Sequence, residues 1–437
     1  MSNQKSYRSA FILLTILFFL WGFITVLVDS LIPRLRELFT LTYFQAGLVQ
    51  FAFFGAYFLL SIPASYILSK IGYKKGIILG LLTMALGCLL FYPAASYRIF
   101  GIFMLAYFIL AGGITILQVA ANPFVAVLGS EEGASSRLNL SQAFNSLGTA
   151  IAPAIGALFI LSDVIKTKEE IAVLEGSAKE AYLSAEAAAV QTPFLGLALF
   201  IGLIAVIFLF AKLPTMISET STGTYREALK NKKLMQGVLG IFFYVGAEVA
   251  IGSYLVNYFL DMNLVSVIKE SSVMRSIAET ILNSGLADKD DKAVVGVFVT
   301  FYWSGAMIGR FAGAYLTRIM QPGKVLAIFA TISISLIVLS ISTVGLVSMW
   351  SILAVGLFNS IMFPTIFTLA IDGIGHLKPK ASGLLCTAIV GGAIIPPTFG
   401  FLTDQIAFKN AMIFIVLCYA YIVWFGYKNG KSKVAIV

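Results

Sequence analysis

The run Leu234–Leu260, LMQGVLGIFFYVGAEVAIGSYLVNYFL, decides how the chain is read. It holds 27 residues between Lys233 and Asp261, and its one charge, Glu248, is the fifteenth. At about 1.5 Å per residue such a run crosses a bilayer core of about 30 Å with some tilt. A carboxylate at mid-depth costs roughly 2.5–3.5 kcal/mol on an insertion scale, so it needs a wet cavity or a partner. A carboxyl kept protonated and hydrogen-bonded inside a packed bundle is the alternative. Amides that other spans bring to the same depth favour the cavity.

Composition agrees with a membrane chain. Of 437 residues, 59% are hydrophobic and 12% charged, against about 25% charged in a soluble domain. A net charge of +9 would suggest nucleic acid in a soluble protein. Here the basic residues sit in short loops, which is a topology signal, and no nucleic-acid partner is expected. Cys88, Cys386 and Cys418 all fall in apolar runs without metal spacing, so they read as small core residues. Lys5 and Arg8 precede an apolar run that continues past signal-peptide length to Asp29 without a small-residue cleavage site. An uncleaved first helix is expected.

Apolar runs give twelve expected spans, at 9–33, 44–69, 76–97, 100–128, 138–161, 192–211, 234–260, 293–317, 324–342, 347–371, 381–403 and 408–427. The fold class is an all-α integral membrane protein. Lys and Arg concentrate at the termini and in the loops after even-numbered spans, which places both termini in the cytoplasm of a bacterial plasma (inner) membrane. The longest basic loop divides the chain into an N-terminal six-helix bundle (1–212), a cytoplasmic linker (213–233) and a C-terminal six-helix bundle (234–437). The halves resemble each other. Gln118 lies five residues before Pro123, and Asn359 lies five residues before Pro364. The fifth and eleventh spans carry Pro153 and Pro396–Pro397. A parallel repeat of this kind is the organisation of transporters that rock about a midplane site. Gly305, Gly309 and Gly313 form a small-residue stripe suited to close helix packing.

Helical phase, about 100° per residue, gathers the polar side chains onto faces. Phe18, Gly22, Thr25 and Asp29 share one face; Gln50 and Tyr57 share another. Thr115, Gln118 and Asn122 share a third. The fifth span lines one face with Asn139, Gln142, Asn145, Ser146 and Thr149, too polar for lipid. Tyr244 stands one turn before Glu248. Amides supply both donors and acceptors, and aromatics cover apolar C–H faces, so the set suits a sugar. Interhelical amides can also act only as glue, at about 0.6–2 kcal/mol each. Asp29 alone could be a helix-end acid. His376, the single histidine, sits in a loop. No nucleotide-binding loop, metal cluster or nucleophile–base set is present, so neither ATP-driven transport nor catalysis is expected.

Seven segments carry a family resemblance: FFLWGFITVLVD (Phe18–Asp29), FQAGLVQFAFFGAYF (Phe44–Phe58), QVAANPFVAVLG (Gln118–Gly129), RLNLSQAFNSLG (Arg137–Gly148), QTPF (Gln191–Phe194), FYVGAEV (Phe243–Val249) and FPTIF (Phe363–Phe367). Together they resemble the fucose–galactose–glucose:cation symporters, the sugar branch related to L-fucose permease within the major facilitator superfamily. The resemblance implies twelve helices in two pseudo-symmetric six-helix bundles and sugar uptake driven by a cation gradient. Asp29 matches the first-helix acid that handles the coupling cation. Gln118 stands where the permease pattern has a second acid, Glu248 where it has an amide, and Val28 where it has an asparagine. These departures point to the glucose/galactose side of the family.

The reading is therefore a monomeric symporter in a lipid bilayer, importing glucose, galactose, mannose or a similar hexose by alternating access. Sugar ligands are expected at Gln50, Gln118, Asn122, Gln142, Tyr244, Glu248, Asn359 and Phe363. Cation coupling is expected at Asp29, Thr25, Gln142 and Asn145, with Asp29 the possible Na+ ligand. Loss of the second acid favours Na+ over H+, since Na+ prefers oxygen ligands; no other cofactor is expected. The alternatives are a proton-coupled fucose-type symporter, an exporter of amphipathic compounds, and a sugar sensor.

Overall fold

The computed structural model describes residues 2–38, 43–159, 173, 176–214, 223–287 and 289–430; within these, the side chains at 2–6, 29–38, 43–47, 50, 154–159, 179, 183 and 186 are outside the description. Among the described residues every regular element is a helix. The first half holds α1 (Ser2–Leu38), α2 (Tyr43–Tyr97), α3 (Phe100–Val127), α4 (Ala134–Phe159) and α5 (Gly176–Phe210), followed by the short α6 (Tyr225–Lys230). The second half holds α7 (Lys232–Asp261), α8 (Val299–Ile319), α9 (Pro322–Ser342), α10 (Gly345–Asn359), α11 (Met362–Ile371), α12 (Lys378–Thr387), α13 (Gly391–Ile406) and α14 (Phe408–Asn429).

Ten helical stretches among the described residues are long and apolar enough to cross a membrane. One of them, Phe51–Tyr97, is 47 residues long. It changes direction at Gly72, whose φ of 81° suits a residue without a Cβ, so it carries two of the expected spans. The amide-rich α4 completes the twelve. Leu199, Phe210, Leu417 and Tyr427 are all more than 60% exposed. Such apolar surface belongs against hydrocarbon.

Helix ends are set by local chemistry. The Asn231 side chain accepts from Leu234 N at 3.0 Å and starts α7. Just past the Gly72 turn, Lys74 Nζ donates to the carbonyls of Leu209 and Ala211, both at 2.8 Å. A cation there satisfies the orphan acceptors at the C-terminus of α5.

The chain divides into two compact units that do not follow chain order throughout. Unit one comprises Met1–Gly129, Phe144–Lys230 and Gly373–Thr387. Unit two comprises Ser130–Ala143, Asn231–Asp372 and Ala388–Val437. The main division, Lys230 to Asn231, falls within the basic stretch 213–233. In unit one α2 and α3 meet through glycine: a Cβ on Gly113 would overlap Met84, and one on Gly87 would overlap Leu110. Segment 373–387 belongs there because Gly383 fits against Ser65 without room for a Cβ. In unit two, segment 130–143 is held by hydroxyl and amide bonds. Ser135 Oγ and Thr368 Oγ1 are 2.6 Å apart, Ser136 Oγ donates to Ala314 O at 2.6 Å, and Asn139 Nδ2 donates to Thr365 Oγ1 at 3.2 Å. The glycine stripe of α8 does pack: Cβ atoms on Gly309 and Gly313 would overlap Leu357 and Ile361, and one on Gly356 would overlap the Tyr302 carbonyl.

Candidate functional site

That glycine contact brings α8 against α10 and assembles the polar centre of unit two. Tyr302, Asn359 and Tyr419 are fully buried. Asn359 Nδ2 donates to Tyr302 Oη at 2.6 Å and to Tyr419 Oη at 3.4 Å. Tyr302 and Tyr419 both lie within electrostatic range of Glu248. One residue beyond Asn359, the Ser360 carbonyl accepts from Arg310 Nε at 3.2 Å. Pro364 explains why that carbonyl is available, since four residues on it has no N–H to return to Ser360. Arg310 in turn places Nη2 3.9 Å from Glu248 Oε1, with both side chains mostly buried.

Tyr244 and Glu248 interact with each other one helical turn apart, but three buried atoms in this centre, Tyr244 Oη, Glu248 Oε1 and Asn359 Oδ1, lack a partner at good hydrogen-bond geometry among the described residues. Each such group forfeits about 1–3 kcal/mol unless something else bonds to it. Phe363, 7% exposed, is the second residue of α11, which follows the centre's own α10, and stacks on Phe367 at 6.0 Å. Five of the expected sugar ligands, Gln142, Tyr244, Glu248, Asn359 and Phe363, thus belong to unit two.

The polar centre of unit one is differently built. Tyr57 Oη donates to Gln118 Oε1 at 2.7 Å, with both side chains buried. Asn122 is fully buried one turn further along α3. Pro123 leaves the Val119 carbonyl without its helical donor, and Ser382 Oγ supplies one at 2.8 Å. On α1, Thr25 Oγ1 donates to Trp21 O at 2.9 Å. Asn145 Nδ2 donates to Phe18 O at 2.9 Å. The Asn145 contact is possible because Gly22 and Gly148 leave no room for side chains between α1 and α4. Gln142 is buried but is assigned with 130–143 to unit two, whereas Thr25 and Asn145 lie in unit one. Asp29 and Gln50 lie outside the residues whose side chains are described.

Arg310, Tyr302 and Tyr419 were not among the expected ligands. Arg310 carried a usable signal, being the twelfth of 21 residues in a span-length helix, and an intramembrane charge calls for a partner. The two tyrosines carried none, because one buried aromatic on an apolar helix looks like any other. Among the described residues no three His, Cys, Asp or Glu side chains cluster as a metal site.

The Major Facilitator Superfamily profile matches residues 10–397. The chain is 46% identical over 437 residues to the glucose/galactose transporter of Brucella abortus, covering 99% of this chain and 96% of that protein. It is 36% identical over 445 residues to the L-fucose-proton symporter of Escherichia coli, with 99% and 95% covered. A crystal structure of the superfamily transporter FucP in the outward conformation aligns with a TM-score of 0.85 at 34% identity, covering 98% of this chain and all of that one. These relatives are transporters, not enzymes. With the twelve spans traced among the described residues, the repeated amide–proline device and near full-length coverage in agreement, the chain belongs to the major facilitator superfamily, on the branch that holds the glucose/galactose transporters and the L-fucose-proton symporters.

Proposed function

We propose that the protein is a secondary active transporter of the bacterial plasma membrane, with cytoplasmic termini, importing a hexose of the glucose, galactose or mannose type by alternating access. The observation that carries this reading is the centre of unit two, where Tyr244 and Glu248 face each other and Tyr244 Oη, Glu248 Oε1 and Asn359 Oδ1 are buried without a partner at good hydrogen-bond geometry among the described residues. One donor–acceptor oxygen and two acceptors match the hydroxyls of a sugar, and neighbouring aromatics match its C–H face. The glucose/galactose transporter at 46% identity supports the same substrate class.

The coupling ion in this proposal is Na+, held at Asp29 with Thr25, Gln142 and Asn145 as oxygen ligands. In support, Gln118 replaces the second acid of the permease pattern, and its amide oxygen is taken up by Tyr57. An amide does not titrate, so it cannot pick up and release a coupling proton as a carboxylate can. The proton reading is favoured by one specific observation, the 36% identity to a symporter named for proton coupling. The deciding experiment measures hexose accumulation in proteoliposomes under a Na+ gradient at equal pH, and under a pH gradient without Na+. Accumulation under the first alone supports Na+ coupling. Accumulation under the second alone transfers the role to protons, and none under either overturns symport. Sugar affinity should also rise in Na+ relative to a large inert cation, because coupling between two sites is reciprocal.

A further inference from the structure

We propose that one sugar hydroxyl bridges Glu248 and Arg310, which makes Arg310 a sugar-binding residue rather than only a neutralising charge; the inference rests on the hexose reading. Arg310 sits midway along α8, where a guanidinium needs a strong reason to be present. Its position is fixed from one side by the Ser360 carbonyl that Pro364 leaves open. From the other side it meets Glu248 at 3.9 Å, an ion-pair distance that is too long for a hydrogen bond. The oxygen facing it, Glu248 Oε1, is buried and has no hydrogen-bond partner among the described residues.

The dimensions of that gap select the ligand group. An oxygen about 2.8 Å from both atoms of the 3.9 Å pair subtends an angle of about 90°. A hydroxyl can meet that geometry, donating its proton to Oε1 while accepting from Nη2. Both bonds are charge-assisted and so roughly twice as strong as neutral ones. A methylene in the same place satisfies neither group. The pair should therefore read the presence of one particular hydroxyl and reject the corresponding deoxy sugar. Asn359 and Tyr244 offer further polar atoms to the adjacent ring positions, and Tyr302 with Tyr419 holds the Asn359 amide in place.

The test is equilibrium binding of D-glucose, D-galactose and their monodeoxy series to the purified full-length protein. Wild type is compared with Glu248→Gln, Arg310→Lys, Arg310→Gln and the double variant Glu248→Gln/Arg310→Gln. In wild type, removal of one particular hydroxyl should lower affinity by about 10- to 100-fold. In the Glu248 and Arg310 variants that same removal should cost little, while the penalties at other ring positions remain. The double variant restores charge balance, so its thermal stability should recover relative to Arg310→Gln while its sugar affinity should not. Equal deoxy penalties in wild type and variants overturn the inference, as does recovery of both stability and affinity in the double variant. A wild-type protein that binds none of these sugars overturns the hexose reading itself, and this inference with it.

Discussion

Gln118 in unit one and Asn359 in unit two stand at matching points, five residues before Pro123 and Pro364. In both units the proline releases a carbonyl one residue past the amide, and a side chain from another helix takes it. The amide is also bonded to a buried tyrosine in both. The chemistry then diverges. In unit one the carbonyl is met by a serine hydroxyl and the amide oxygen by Tyr57, so the neutral groups close on one another. In unit two the carbonyl is met by Arg310, the amide N–H2 donates to tyrosines, and its oxygen has no hydrogen-bond partner among the described residues. The same backbone device thus produces a closed neutral cluster in one place and an open charged one in the other. A repeat fixes where polar groups gather. It does not fix what they do.

The comparison breaks most visibly at Asp29, which the proposal assigns to the ion and not to the sugar. Asp29→Asn should reduce the steady-state hexose gradient to none while sugar exchange persists. Accumulation equal to wild type would take Asp29 out of the coupling. Next comes Glu248→Gln, which removes the charge but keeps the shape. It should lower hexose affinity by about 1.5–3 kcal/mol, the value of a hydrogen bond to a charged group, with the Na+ dependence of transport retained. Lost Na+ dependence with intact affinity would make Glu248 an ion ligand.

Gln118→Ala leaves the Tyr57 hydroxyl buried without its acceptor and removes an amide that the sequence reading assigns to the sugar. Hexose binding should weaken by about 1–2 kcal/mol, read by isothermal calorimetry; unchanged affinity would restrict Gln118 to helix glue. The smallest effect tests the proline device itself. Pro364→Ala supplies an N–H that competes with Arg310 for the Ser360 carbonyl, so hexose affinity should fall by about 0.5–1 kcal/mol. The equivalent Pro123→Ala, which competes only with a serine, should change it less. Equal effects would mean that the arginine anchor has no special importance.

Much of this was legible in the residues. Length and hydropathy gave the twelve spans, because a bilayer demands about 20 apolar residues with every backbone bond closed internally. Glu248, Tyr244 and Asn359 stood out, since a polar side chain in hydrocarbon requires a reason. The stripe at Gly305, Gly309 and Gly313 was readable as packing, as its spacing repeats once per turn. Arg310 went unassigned even though it is as conspicuous as Glu248. Its role depends on α10 and α7, which are distant in sequence. Tyr302 and Tyr419 could not have been singled out at all.

What the sequence determined by itself is the local and periodic part of the protein: which segments span, which faces are polar, where prolines open carbonyls, and which family's motifs it carries. These follow from properties that each residue expresses within a few turns of helix. Only the tertiary structure decided which side chain answers each open group. It gave Val119 to Ser382 and Ser360 to Arg310, and it set Glu248 3.9 Å from a guanidinium and not beside a lysine or a lipid. Those pairings depend on distances of a few ångströms between helices separated by tens to hundreds of residues. Hydrogen bonds and ion pairs switch on and off over such distances, so periodicity can nominate the partners but only packing can choose between them.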